Sequence, residues 1–387
     1  MNFVYLSPHF PPNYYRFCVE LRRLGATVLG LADEAYDRLR PELREALTEY
    51  YRVGELHDYD QVLRACGHFT HRHGKIDRID SHSEHWLEME ARLRADFNVQ
   101  GLRPGDVADI QRKSRMKERL REAGVPVARG GVARTLDEGE RFAGEVGYPL
   151  IAKPDVGVGA AGTWRLDDHA GLASFFARKP PVDYVLEEFI PGQLMSFDGL
   201  TDRGGKIVFC TSHFFSRGIM EAVNQDEDLF YYSLRDIPAD AEDAGRRAVG
   251  AFDLRERFFH FEFFRAHRDG RVVALEINAR PPGGLTTDMF NYASDIDVYR
   301  EWANVVMHDE FTAKCSRKYH CACIGRKHRK RYAHSHEEVL SAFGGLIPHH
   351  EPIDSAFRAA IGDYCYLARS PDLEEILAAV RFIQAEA

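Results

Sequence analysis

Residues 258–284 read Phe258-Phe-His-Phe-Glu262-Phe-Phe-Arg-Ala-His267-Arg-Asp-Gly270-Arg-Val272-Val-Ala-Leu-Glu276-Ile-Asn278-Ala-Arg280-Pro-Pro-Gly-Gly284. Two apolar, aromatic-rich runs flank a His-Arg-Asp-Gly turn sequence, which predicts an antiparallel hairpin with strands over 258–264 and 272–278. The turn holds the midpoint between positions 262 and 276, so the pairing sets Glu262 opposite Glu276. Cross-strand neighbours lie about 4.5–5.5 Å apart at Cβ, where like charges repel. Embedded among Phe, Val and Leu, this pair is poorly screened and calls for a cation or a shared proton. The two-residue period of a strand puts Asn278 on the face of Glu276, with Arg280 in phase. So few oxygen donors suit Mg²⁺ completed by water and phosphate. Arg280, followed by a rigid Pro-Pro-Gly-Gly turn, is suited to bidentate bonding of a phosphoryl group or a carboxylate.

Upstream, Gly157-Val-Gly159-Ala-Ala-Gly162 spells G-x-G-x-x-G. A dinucleotide fingerprint needs a helix to begin at that loop. Here 163–167 reads as a strand and a helix starts only afterwards, which rules against the Rossmann reading. A glycine loop between two strands still lets backbone N–H groups wrap a phosphate, and Lys153 on the incoming strand adds a cation. Between the two regions, the segment 212–224 offers Arg217 as a carboxylate clamp.

Working outward, residues 1–105 alternate short strands and helices (2–6, 14–24, 25–31, 41–51, 60–73, 76–79, 85–97), the pattern of a doubly wound α/β layer. One charged helix over 106–123 follows, stopped by Gly124-Val-Pro126. Longer strands with Gly-rich turns occupy 127–306, and a strand at 319–325 with helices at 336–343 and 371–385 ends the chain. Three domains are expected: 1–105 (N-terminal α/β), 106–310 (phosphate- and metal-binding body) and 311–387 (a C-terminal α+β extension). At 387 residues the chain exceeds one ordinary domain. Its 44% hydrophobic and 29% charged residues fit a globular protein and exclude disordered, collagen-like and coiled-coil classes. Fifty-one Lys and Arg against 60 Asp and Glu give −9, which argues against nucleic acid as a partner. The sequence has no apolar run of about 20 residues and no basic leader. Seven scattered cysteines fit a reducing compartment, so a cytoplasmic location is expected. Between Lys314 and Arg331 stand eight Lys and Arg and no acid. Cys315, His320, Cys321, Cys323, His328, His334 and His336 share that region, but without the second Cys pair that a zinc site wants. The cluster Arg326–Arg331 reads first as a solvated loop, with an anionic substrate and then nucleic acid as the alternative partners.

These residues resemble the ATP-grasp superfamily, the nucleotide-binding architecture of biotin carboxylase, D-alanine–D-alanine ligase and many carboxylate–amine ligases. The likeness runs from about residue 2 to 306. It implies a pre-ATP-grasp α/β layer, an ATP-grasp fold and a small C-terminal unit. It also implies that Lys113, Lys153 and the loop of Gly157, Gly159 and Gly162 hold ATP phosphates. Glu188 and Ile190 would bond adenine through their main chain, with Glu187 as a side-chain acceptor. Glu262, Glu276 and Asn278 would hold Mg²⁺, or Mn²⁺ in its place, and Arg280 with Lys153 would act on the transferring phosphoryl. Leu194 stands where relatives often place an acid for the ribose, and Asp198, in phase on the same strand, is the expected substitute. Arg112 likewise replaces a frequent acid before the first lysine. The implied activity is ATP-dependent joining of a small carboxylic acid to an amine. A small-molecule kinase or a non-catalytic ATP-binding regulator are the alternatives, and a homodimer is compatible with the resemblance.

Overall fold

The computed structural model describes residues 1–157, 162–218, 222 and 226–387. The α/β layer forms as the alternation predicts. Glu49–Arg52, Thr27–Ala32, Asn2–Leu6 and Arg78–Asp80 lie side by side in that order, all parallel. Its two central strands, Asn2–Leu6 and Thr27–Ala32, are near-continuous apolar runs because both faces are covered, as parallel sheets require. Val4, Leu6, Leu29 and Leu31 face helix Tyr59–His73, while Phe3, Tyr5 and Val28 join Phe17, Phe258 and Trp302. That second cluster welds the layer onto the rest of the molecule. The helix expected over 41–51 ends at Ala46, and Glu49–Arg52 is instead the outer strand. Its two tyrosines favour an extended chain over a third helical turn.

The charged helix expected over 106–123 is two helices, Pro104–Gln111 and Lys113–Glu122, broken at an extended Arg112. Arg112 makes an antiparallel bridge with Val156. Asp155 then receives the restarting helix: its carbonyl accepts the Lys113 N–H and its carboxylate the Ser114 N–H, each at 2.8 Å. This borrowed cap fixes Lys113 at a helix start beside the glycine loop.

Gly130–Ala133, Tyr184–Glu188, Leu150–Pro154 and Trp164–Leu166 make a small antiparallel sheet. A nine-stranded antiparallel sheet carries the hairpin Phe258–Ala266/Val272–Asn278 at one edge. Next comes Gly192–Thr201, then His213–Phe215, Phe230–Ser233, His320–Arg326, Tyr364–Ser370 and His349–Pro352, with Ile207–Thr211 also paired to Gly192–Thr201. The sheet thus runs without interruption across residue 311. The hairpin's outer edge is covered where the Ala274 N–H meets the Pro126 carbonyl at 2.7 Å.

A buried ion cluster ties the hairpin to the α/β layer. Arg257 meets Asp80 at 3.0 Å and Glu90 at 3.2 Å and donates to the Ala279 carbonyl at 2.7 Å. One guanidinium therefore pins both ends of the hairpin, the residue before Phe258 and the residue after Asn278. Among the described residues no helix is long and apolar enough to cross a membrane.

Candidate active site

A cavity of about 480 Å³ lies between the small sheet and the hairpin edge of the large one. Glu262 and Glu276 are directly opposite each other, and His260 faces Asn278 two pairs along. Burial pushes the Glu276 carboxyl above its ordinary value, and the neighbouring charges of Glu262 and Glu84 push the same way, against Lys113. A site with this much negative charge favours a cation. Lys113 answers part of it, with Nζ 3.4 Å from Glu276 and donating to the Gly157 carbonyl at 2.9 Å.

On the opposite wall Glu187 is enclosed between two lysines, Lys117 at 3.0 Å and Lys153 at 3.2 Å. Burial alone would raise its pKa, but the two ammonium groups outweigh that and hold it down at about 2. Lys117 is itself buried, and desolvation pulls its pKa below the ordinary lysine value. Glu188 is gripped by Arg129, whose Nε donates at 2.8 Å and whose backbone N–H donates at 2.9 Å. Residues 189–191 then carry the chain from the small sheet to the large one. Ile190 lines the cavity, and among the described residues its N–H meets no backbone acceptor.

Lys113, Lys153, Glu187, Glu188, Ile190, Arg217, Glu262, Glu276, Asn278 and Arg280 all line this one cavity. Gly157 and Gly162 flank the glycine loop, whose strands Leu150–Pro154 and Trp164–Leu166 pair antiparallel. Gly159 lies outside the described residues. Asp198 corrects the sequence reading. It is fully buried away from the cavity, with one oxygen 2.5 Å from His260 Nδ1 and the other 2.7 Å from His213 Nδ1. Committed to two histidines and the Ser196 hydroxyl, it cannot serve a ribose. Its effect is indirect: Asp198 outweighs burial and lifts His260 to about 9, and His260 Nε2 lies 3.3 Å from Glu262.

Two groups escaped sequence reasoning. Lys117 sits one helical turn after Lys113, and that i, i+4 spacing is the signal that could have found it. Glu84 enters from the α/β layer. It accepts from Arg280 Nε at 3.2 Å, and the Asn278 amide, oriented by the network it faces, donates to its two oxygens at 2.7 and 3.3 Å. No local pattern marks it. Among the described residues no three His, Cys, Asp or Glu side chains form a ready-made metal site. The cysteines at 321, 323 and 365 are free and buried in the sheet core.

A family profile described as carbamoyl-phosphate synthase L chain, ATP binding domain, matches residues 112–180, a stretch that includes Lys113 and Lys153. The L-arginine-specific L-amino acid ligase of Bacillus subtilis is 24% identical over 241 residues, 60% of this chain and 58% of that protein. The chain therefore spans a little over half the length of that relative. The crystal structure of an L-amino acid ligase from Bacillus licheniformis superposes with a TM-score of 0.74 at 16% identity, covering 98% of this chain and 96% of that one. The biotin carboxylase domain of Hydrogenobacter thermophilus 2-oxoglutarate carboxylase, solved with MgADP and bicarbonate, gives 0.69 at 15% identity over 100% and 90%. Superposing over nearly its full length on these structures, the chain has the ATP-grasp fold.

Proposed function

We propose that this protein is an ATP- and Mg²⁺-dependent ligase that activates a small carboxylic acid as an acyl phosphate and joins it to an amine. The observation that carries the proposal is the cavity in which Glu262 and Glu276 face each other while Lys113, Lys153 and Arg280 converge from separate elements. The donor set fits Mg²⁺: two facing carboxylates, one of them raised by burial and by its acidic neighbours, with the Asn278 oxygen alongside. Glu262, Glu276 and Asn278 would hold the metal, and bound there it would neutralise phosphate charge. Lys113 and Lys153 hold phosphate oxygens, and the Ile190 N–H with the Glu188 carbonyl addresses the base. Glu187 keeps Lys153 in place. The substrate carboxylate oxygen attacks the γ-phosphorus and ADP leaves. The amine nitrogen then attacks the acyl carbon, phosphate departs, and the nitrogen gives up a proton. Arg280 offers its guanidinium to the transferring phosphoryl, and the chain's share of the catalysis is positioning and charge neutralisation.

ADP release measured against pooled L-amino acids and other carboxylic acids, with and without amines, tests this reading. The amino-acid ligases among the relatives make L-amino acids the first pool. ADP formation should require the acid, and hydroxylamine should trap a hydroxamate. A stable phosphoester with no hydroxamate would replace the ligase by a kinase. Glu84 supplies a further test. Glu84→Gln keeps the shape but removes the charge that fixes Arg280 and Asn278. Groups that orient ligands in this way are worth about 10–100-fold in affinity or activity. Turnover should fall by that factor, with half-saturation in Mg²⁺ shifted upward, and an unchanged Mg²⁺ titration would remove Glu84 from the site.

A further inference from the structure

The basic run expected to be a solvated loop is docked instead. Arg326 and Lys327 are buried. Arg326 donates to the Ile383 carbonyl at 2.6 Å and lies over the ring of Tyr332. Lys327 Nζ donates to Asp226 at 2.8 Å and to the Ala222 carbonyl at 3.4 Å, and Arg329 pairs with the same Asp226. Lys330 reaches Asp228 and Glu386, each at 3.3 Å. The Tyr332 hydroxyl closes the network, donating to Asp228 at 2.9 Å and accepting the Lys327 N–H at 2.8 Å. The run thus neutralises Asp226-Glu227-Asp228, three consecutive acids that would otherwise repel one another.

The middle acid points elsewhere. Glu227 lies 3.4 Å from Nη1 of Arg217, and Arg217 lines the cavity beside Ser216 and Gly218. Its Nε is buried and has no partner among the described residues. A buried donor without an acceptor is costly, and a guanidinium is well shaped for a carboxylate.

We propose that Lys327 and Lys330 are positioning residues for Arg217, and that the basic run thereby sets the affinity of the cavity for an anionic substrate. By pinning Asp226 and Asp228 they hold Glu227 against the guanidinium, which keeps Arg217 directed at the cavity. An arriving carboxylate takes Arg217 from Glu227, and Lys330, already 3.8 Å from Glu227, receives the released charge. Three cations of the run, Lys327, Arg329 and Lys330, are therefore counter-charges of these acids. The proposal rests on the ligase reading for the nature of the anion, but not for the docking itself.

Two readouts test it on the full chain. The first is cleavage of the Arg217–Gly218 bond by trypsin, followed by mass spectrometry, which requires no activity. Lys327→Met should expose that bond, while Lys327→Arg and the neutral pair Asp226→Asn/Lys327→Met should restore protection. The second is ADP release with pooled L-amino acids. In Lys327→Met the half-saturating pool concentration should rise about tenfold, within the range of coupling between linked sites, while the saturated rate and the affinity for a fluorescent ATP analogue hold. Lys330→Met, at a more exposed position, should shift both readouts the same way should Lys327→Met fail to fold. Wild-type protection at Arg217 in these variants, or an equal loss of nucleotide affinity, would overturn the proposal. A wild-type protein that releases no ADP with any pool would instead sink the ligase reading and leave the tryptic result to decide this one.

Discussion

Glu276→Gln should abolish substrate-stimulated ADP formation, a loss on the order of a thousandfold, the upper range for removing one preorganised electrostatic partner. The glutamine keeps the volume and one oxygen but gives up the charge. In the wild type that charge is held against burial and against Glu262 and Glu84, with Lys113 and Lys153 opposing them. Removing it should therefore leave the fold as stable as before, or more so, because a repulsion goes with it. The signature is a pair of measurements: a thermal midpoint equal to or above wild type, and ADP release near background. Full turnover in this variant would remove Glu276 from the metal-binding set, and a collapsed midpoint would make it a structural residue.

Glu187→Leu is the change expected to cost most in stability. It leaves Lys117, almost fully enclosed, without its partner, and an orphaned buried charge costs about 3–5 kcal/mol. The pH dependence gives an independent figure of similar size. Glu187 titrates at about 2 in the folded chain against an ordinary value of 4.5. A depressed carboxyl contributes stability that is complete above the unfolded value and is lost as pH falls toward the folded one. That shift amounts to about 3 kcal/mol. Urea unfolding should show the deficit at neutral pH, with wild type and variant converging as pH drops from 5 toward 2. Adding Lys117→Met should recover most of the stability, since apolar replacement of a buried pair is often neutral. Nucleotide binding should stay impaired in the double variant, because Lys153 no longer has Glu187 to hold it. Stability that fails to recover in the double variant would show that Glu187 contributes through something other than the Lys117 pair.

The carboxylate hairpin was legible because everything that defines it is local. A turn sequence and a two-residue period suffice to set Glu262 against Glu276, and the structure shows that register. The same period misled at Asp198. Phase along a strand fixes the face and not the distance, and four residues past Leu194 the chain has advanced about 13 Å. There it meets His213 and His260 instead of the cavity. Glu84 was hidden for another reason: its partners Asn278 and Arg280 are nearly two hundred positions away, and only the docking of the α/β layer brings them together. The break at Arg112 was likewise unreadable, since the helix it interrupts scores well by composition and the interrupting partner, Val156, belongs to another element. The basic run was misjudged because its counter-charges stand a hundred residues earlier.

The order of strands in the large sheet also sets a timetable for the nascent chain. Phe230–Ser233 hydrogen-bonds forward to His320–Arg326, and the Cys321 N–H reaches the Ser233 hydroxyl across 88 positions. At ribosomal speeds of roughly 5–20 residues per second, that aromatic strand spends about 4–18 seconds outside the exit tunnel before its partner emerges. During that interval Phe230, Tyr231 and Tyr232 present an unpaired edge of the kind that recruits other chains. Synthesis of this protein should therefore lean on chaperones that shield such edges, and its yield should respond to translation rate through the stretch between residues 233 and 320.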